Sequence, residues 1–463
     1  MGPSLRSLAV IVLMGLSLAG GSLAAAQTPQ GARETTAEAQ SRLGRRLFGE
    51  NRFTNPGSNF LVTCGACHKP PEAGGNQAYA DQLRRSLLPS RQGSQGRALT
   101  TRNTPSLLDV GQMPRLGHDG AFESLESLVE AKLTGPHYGW LEGESERAVD
   151  EIYTILINDA GEDGGAEASY AEEFRSALGL TLGELSHREA LRGAARALAA
   201  YLRTLKTDLS APWDAFASMN RIPTGPGAGE TPEAYAGRVF GRLANLEGRL
   251  QVKLVDGFDV DAYEGLKIFF RTSGESSVGN CVACHTPPIF TDFGFHNTGI
   301  AQIEYEGVHG PGSFARLEIP ALESARRPEP RLSAPPEPGA PGQADLGHWN
   351  HAPAAEEAEL KAAIGAFKTP SLRNVALTAP YMHNGAYAAL EEAVGEIVDV
   401  SERARAGVLR AIDPAYLGMN LTEADVAPLV AFLRSLTEVG RSQFRNLLLS
   451  ARDHTGELSP ARP

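Results

Sequence analysis

The chain has 463 residues, 42% of them hydrophobic, with 50 Gly, 30 Pro and a formal net charge of −12. That length holds more than one core, and the composition is that of a globular protein with many turns, not a disordered or collagen-like one. The negative balance argues against a nucleic-acid-binding surface, which is usually built on a basic patch.

Taken in chain order, residues 1–26 read as an export signal. Arg6 precedes an apolar run from Leu8 to Leu18, and Ala24-Ala25-Ala26 offers a small-residue cleavage site before Gln27. The run is short for a membrane span and no later stretch approaches one, so the expectation is a periplasmic protein with no membrane anchor. Helical spacing of apolar residues predicts a helix over Ala37–Phe48, shortly before Cys64-Gly-Ala-Cys67-His68. A second such helix, over Ala262–Phe270, precedes Cys281-Val-Ala-Cys284-His285. The two motifs use all four cysteines. A lone Cys-x-x-Cys suits a redox dithiol or half a zinc site. Two complete Cys-x-x-Cys-His copies point instead to two covalently bound haem c groups. Cys64 and Cys67, and Cys281 and Cys284, would form the thioethers, with His68 and His285 as proximal iron ligands.

The chain repeats beyond these motifs. Thr104-Pro-Ser-Leu107 recurs as Thr369-Pro-Ser-Leu372, an offset of 265 residues. At that offset Gly117-His118-Asp119-Gly120 meets Met382-His383-Asn384-Gly385, and Lys132 meets Ile397. The haem motifs are only 217 apart, so the second half carries 48 extra residues, mostly in a Pro/Gly-rich stretch over 310–347 that reads as a long surface loop. Further helices are predicted over Leu125–Lys132, Ser186–Leu205 with Ser186 as cap, Leu390–Ile397, and Leu421–Leu436 with Thr422 as cap. Alternating strand patterns are scarce. The expected architecture is all-α: a haem domain over 27–221, a linker over 222–238, and a second haem domain over 239–455, the two facing each other.

Leu43-Gly-Arg-Arg-Leu-Phe48, Arg102-Asn-Thr-Pro-Ser106, the two haem motifs, and the long run from Phe367 through Thr369-Pro-Ser-Leu-Arg373 to Tyr381-Met-His-Asn-Gly385 resemble the bacterial di-haem cytochrome c peroxidase family. That family includes the MauG-type oxidases, and the resemblance spans nearly all of the mature chain. It implies an N-terminal haem that meets peroxide and a C-terminal haem that passes electrons. It also implies a small periplasmic electron donor, a cytochrome c or cupredoxin, a homodimer by analogy, and calcium at positions falling on Asn103, Thr378 and Pro380. The alternative is that Asn103 caps a turn before Pro105. Hard oxygen donors suit calcium.

The distal residues depart from the family's pattern. The tryptophan expected between the haems falls on His118, and the segment that usually carries a catalytic glutamate falls on Gly135-Pro136-His137-Tyr138. His137 is the candidate acid–base group, with Tyr138 behind it; a surface turn is the alternative reading for His137. The family's sixth ligand to the C-terminal iron falls on Ile397, which cannot bind, leaving Met419, Met382, His348 and His351 as candidates. Lys132, its repeat partner, would face the N-terminal iron as a neutral ligand, or else face solvent or a propionate. Three functions follow: a peroxidase, a MauG-like oxidase of a protein or organic substrate, or a non-enzymatic electron carrier or sensor.

Overall fold

The computed structural model describes residues 34–71, 78–81, 83–90, 98–161, 168–320, 332–353, 356–449 and 452–453. The export signal lies outside them, as does the middle of the Pro/Gly-rich stretch. No helix among the described residues is long and apolar enough to cross a membrane. The fold is helical, with three two-stranded ribbons among the described residues.

The first half contains α1 (Thr36–Phe48), α2 (Leu125–Leu133) and α3 (His187–Leu202). Ser186 caps α3 as predicted, and Glu189 returns to the Ser186 amide at 2.8 Å to close a capping box. The second half contains α4 (Pro232–Glu247), α5 (Val260–Phe270), α6 (Ile300–His309), α7 (Leu390–Arg405) and α8 (Val426–Arg434). In each half the helix before the haem motif crosses the last long helix: α1 packs on α3, and α5 on α8. A glycine stands at both crossings. A Cβ on Gly44 would lie 1.9 Å from the Ala197 carbonyl oxygen, and one on Gly265 1.9 Å from that of Pro428. Only glycine permits backbones so close.

The repeat is also written in the backbone. Asp109 and its partner Asn374 share a left-handed φ of 58°. The bridge between Leu116 and Phe122 recurs between Tyr381 and Tyr387. Gly117 has φ 84°, and Met382 is held at φ 68° in the same place, a conformation costly for a side chain.

Two large hydrophobic cores result, one drawn from residues 39–205 and one from 213–447, with smaller clusters beside the second. The expected boundary at 221–222 therefore falls inside the second core. Trp213 is the reason: it packs 5.7 Å from Phe432 and 6.3 Å from Phe270, and its neighbour Asp214 takes both ends of buried Arg373 at 2.6 and 2.8 Å. The expected linker also runs into α4, where Thr231 caps the helix and Tyr235 and Ala236 are buried.

The Pro/Gly-rich stretch is not simply a surface loop. Leu332, Ala344, Leu346 and Trp349 close a small core with Tyr305 and Phe314. Beyond it, β1 (Phe295–Asn297) pairs antiparallel with β2 (Ala366–Lys368).

Candidate functional site

Each haem motif coils into a single tight turn, and each proximal histidine is held by its Nδ1. In the first half Nδ1 of His68 donates to the Tyr79 carbonyl at 3.4 Å; in the second, Nδ1 of His285 donates to Phe290 at 3.1 Å. This leaves Nε2 of both rings for a metal, with a backbone acceptor fixing tautomer and orientation. Burial above all pulls His68 down to about 4 and lowers His285, so both rings stay neutral, as an iron ligand must.

The repeated Thr-Pro-Ser-Leu explains itself here. Ser106 Oγ donates to the Ala78 carbonyl and Ser371 Oγ to that of Ile289, both at 2.5 Å, one residue before each histidine's acceptor. The same oxygens accept from the amides of Leu108 and Arg373. The motif is a brace for the proximal loop. All four cysteines are free, and burial raises Cys64 to about 11 and Cys281 to about 12. Such thiols are poor redox nucleophiles but suit neutral thioethers. The residues fit haem c.

After the distal helix each half carries a Pro-x-Tyr turn, Pro136-His137-Tyr138 and Pro414-Ala415-Tyr416. Tyr138 Oη lies 3.3 Å from Cys64 Sγ. Burial, then the nearness of Cys64, raises its hydroxyl well above the usual tyrosine range. Tyr416 is raised in the same way by burial, then by Cys284 and Cys281. Tyr138 is thus a partner of the cysteine edge, which argues against its use as an acid–base group. The offset here is 278, because α7 is 16 residues long against 9 for α2 and the connection that follows it is also longer, 406–413 against 134–135. A fixed 265-residue alignment could not find this pair.

The turn brings His137 to Lys132, with Nζ 3.4 Å from Nε2. Burial first, then Lys132, holds His137 at about 3, while burial lowers Lys132 to about 8. At the matching places the second half has Ile397 and Ala415. Ile397 packs with buried Met419 and with Met382 and Tyr387. A cleft of about 650 Å³, lined by Arg85, Leu99, Ile303, Glu304 and Tyr387 among others, borders this cluster but includes neither haem motif nor His137.

His118 and His383 lie on either side of Asn103. His118 Nε2 donates to the Asn103 carbonyl at 2.9 Å, and the Asn103 amide donates to that of His383 at 2.8 Å. The His383 ring is buried and stacks on Phe367 at 3.6 Å. Asn103 Nδ2 donates to Pro380 at 2.6 Å, Oδ1 accepts from the Thr104 amide at 2.8 Å, and the Thr378 hydroxyl donates to Val375 at 3.0 Å. The Asn103 side chain and the Pro380 carbonyl thus satisfy each other within the protein. His348 and His351 approach Asp119.

Sequence reasoning missed His296. It is clamped by Asp413 at Nδ1 (2.7 Å) and Asp292 at Nε2 (2.9 Å). Burial opposes its charge, yet the two carboxylates and Cys284 raise it to about 12. An Asp-x-x-x-His spacing was the only local trace, and Asp413 lies 117 residues away.

These are the parts of a c-type haem oxidoreductase, and the comparisons agree. The family model described as di-haem cytochrome c peroxidase matches residues 38–221. The cytochrome-c peroxidase IdrP1 of Denitromonas iodatirespirans is 24% identical over 398 residues, 85% of this chain and 80% of its own. The methylamine utilization protein MauG of Methylorubrum extorquens is 24% identical over 394 residues, 85% and 77% of the two chains. The crystal structure of the diheme peroxidase BthA from Burkholderia thailandensis, 21% identical, aligns with a TM-score of 0.52 over 86% of each chain, a likeness of fold. The chain is thus similar to the di-haem cytochrome c peroxidases over residues 38–221, and to IdrP1 and MauG over most of its length at about 24% identity.

Proposed function

We propose that the protein is a periplasmic di-haem c peroxidase, with one haem in each half as in a pair of cytochrome c-like domains. It would reduce hydrogen peroxide with electrons from a small redox protein, a cytochrome c or cupredoxin: H2O2 + 2H+ + 2e− gives 2H2O. The observation that carries this reading is the distal asymmetry, Lys132 and His137 in the first half against Ile397 and Ala415 in the second. Haem c, when bound, supplies an iron that exchanges electrons with peroxide.

The chain's part is proton handling. His137 Nε2, kept neutral by burial, can accept a hydrogen bond from one peroxide oxygen and orient it. Lys132 Nζ, whose ammonium is weakened to about 8, can give one to the departing oxygen. The apolar second face offers neither, which suits a haem that only relays electrons. Calcium enters only as a ligand that would have to replace the hydrogen bond between Asn103 and Pro380. A homodimer rests on the family's habit alone.

The test is stopped-flow mixing of the reduced protein with peroxide while the Soret band is followed. Rapid stoichiometric oxidation, then turnover with reduced cytochrome c or a cupredoxin, is expected. Oxidation without turnover on either donor would favour the MauG-like reading, in which a protein or organic substrate supplies the electrons. A protein that is low-spin at both irons and indifferent to peroxide and cyanide would overturn both.

A further inference from the structure

The Pro/Gly-rich stretch returns to the first half at one buried place. Asp345 takes Arg102 at two points, Nε to Oδ2 at 2.7 Å and Nη2 to Oδ1 at 2.8 Å. The remaining Arg102 nitrogen, Nη1, binds Asp119 Oδ2 at 2.6 Å. The same Asp119 oxygen lies 3.4 Å from His351 Nε2, and the Asp119 carbonyl accepts from His348 Nδ1 at 2.7 Å. A Cβ on Gly120 would stand 2.6 Å from the Phe295 ring. The Arg102, Asp119 and Asp345 side chains are only 13%, 10% and 3% exposed.

A buried ion pair adds little net stability over a well-packed apolar contact; its best-attested use is to fix a register. The residue being registered is His118, next to Asp119 in a strap over residues 117–120 whose counterpart in the second half is 382–385. The repeat supplies an internal control: the position matching Arg102 is Phe367, that matching Asp119 is Asn384, and the second strap has no such ion pair. The His118 carbonyl also accepts from the Lys368 amide of the second half at 2.8 Å, so the clamped strap lies where the halves meet.

We propose that Asp345 is a positioning residue: through Arg102 and Asp119 it fixes the His118 strap between the halves and thereby sets how fast an electron crosses from one to the other. The step is one electron lost by one half and gained by the other, with no bond made or broken. It rests on the reading above that each half carries a redox haem.

The test is pulse radiolysis of the haem-loaded protein, which delivers one electron and follows its redistribution optically. Asp345→Asn keeps the shape and removes the charge. It should slow redistribution about tenfold, the scale of a sub-ångström loss of alignment, with haem spectra and midpoint potentials unchanged. Asp345→Glu should recover part of the rate. An unchanged rate in a folded Asp345→Asn protein would overturn the proposal. Should that variant fail to fold, His351→Ala, which touches only the outer side of Asp119, must still slow redistribution measurably, and an unchanged rate there refutes it equally. Because the electron comes from radiolysis, a protein that ignores peroxide would defeat the peroxidase reading and leave this test intact.

Discussion

The two halves build the same turn and brace around their Cys-x-x-Cys-His motifs and differ in the Pro-x-Tyr turn and in the helix before it. On the proximal side the correspondences run to single atoms: histidine Nδ1 to a backbone carbonyl, serine Oγ to the carbonyl before it, a glycine at the helix crossing. On the distal side the Pro-x-Tyr turn is kept while its middle residue and the helix residue facing it are polar in one half and apolar in the other. The repeat is kept in the parts that fold and brace the motif turns, and it diverges in the Pro-x-Tyr turn and the helix before it.

The sharpest way to break this comparison is His137→Ala, which gives the first half the residue of the second. Peroxide-driven oxidation should fall about 10²–10⁴-fold in stopped flow. An unaltered rate would place the distal group elsewhere. Gly44→Ala and Gly265→Ala should each cost about 3 kcal/mol or more in denaturant unfolding, since both force a methyl into a carbonyl oxygen. A large loss at only one would end the claim of equivalent crossings. Ser106→Ala and Ser371→Ala should each lose about 1 kcal/mol, seen as a matched fall in melting temperature.

A further effect concerns a feature of one half alone. His296 is raised from 6.5 to about 12, so the folded protein keeps a proton that the unfolded chain releases above its ordinary pKa. Its contribution is complete below that pKa and is lost progressively as pH rises toward the folded value. The native protein should therefore lose more melting temperature between pH 6 and pH 9 than His296→Gln does, and equal slopes would refute the clamp.

Much of this was legible in the sequence. Cys64, Cys67 and His68 and their second copy announce a local turn, so spacing alone reveals them. Helices α1, α3 and α5 begin and end within a few residues of where periodicity and caps place them. What was hidden needed distance or changing register. Pro414-Ala-Tyr416 was concealed by the longer α7. The first domain was expected to run to residue 221 because nothing local shows that Trp213 packs on Phe432. The stretch containing Asp345 looked like loop because its composition is that of turns, whereas its few apolar residues suffice for a small core.

Arg102 and Asp345 are 243 residues apart in the chain, which has a consequence for synthesis. The first half emerges with its cysteines, its brace and its distal turn, all local, and can enclose a haem early. Its strap can settle only after the carboxylate that completes it has been made, when the second haem motif has already emerged. The ion pair that joins the halves at this place is therefore among the last contacts the newborn chain can make.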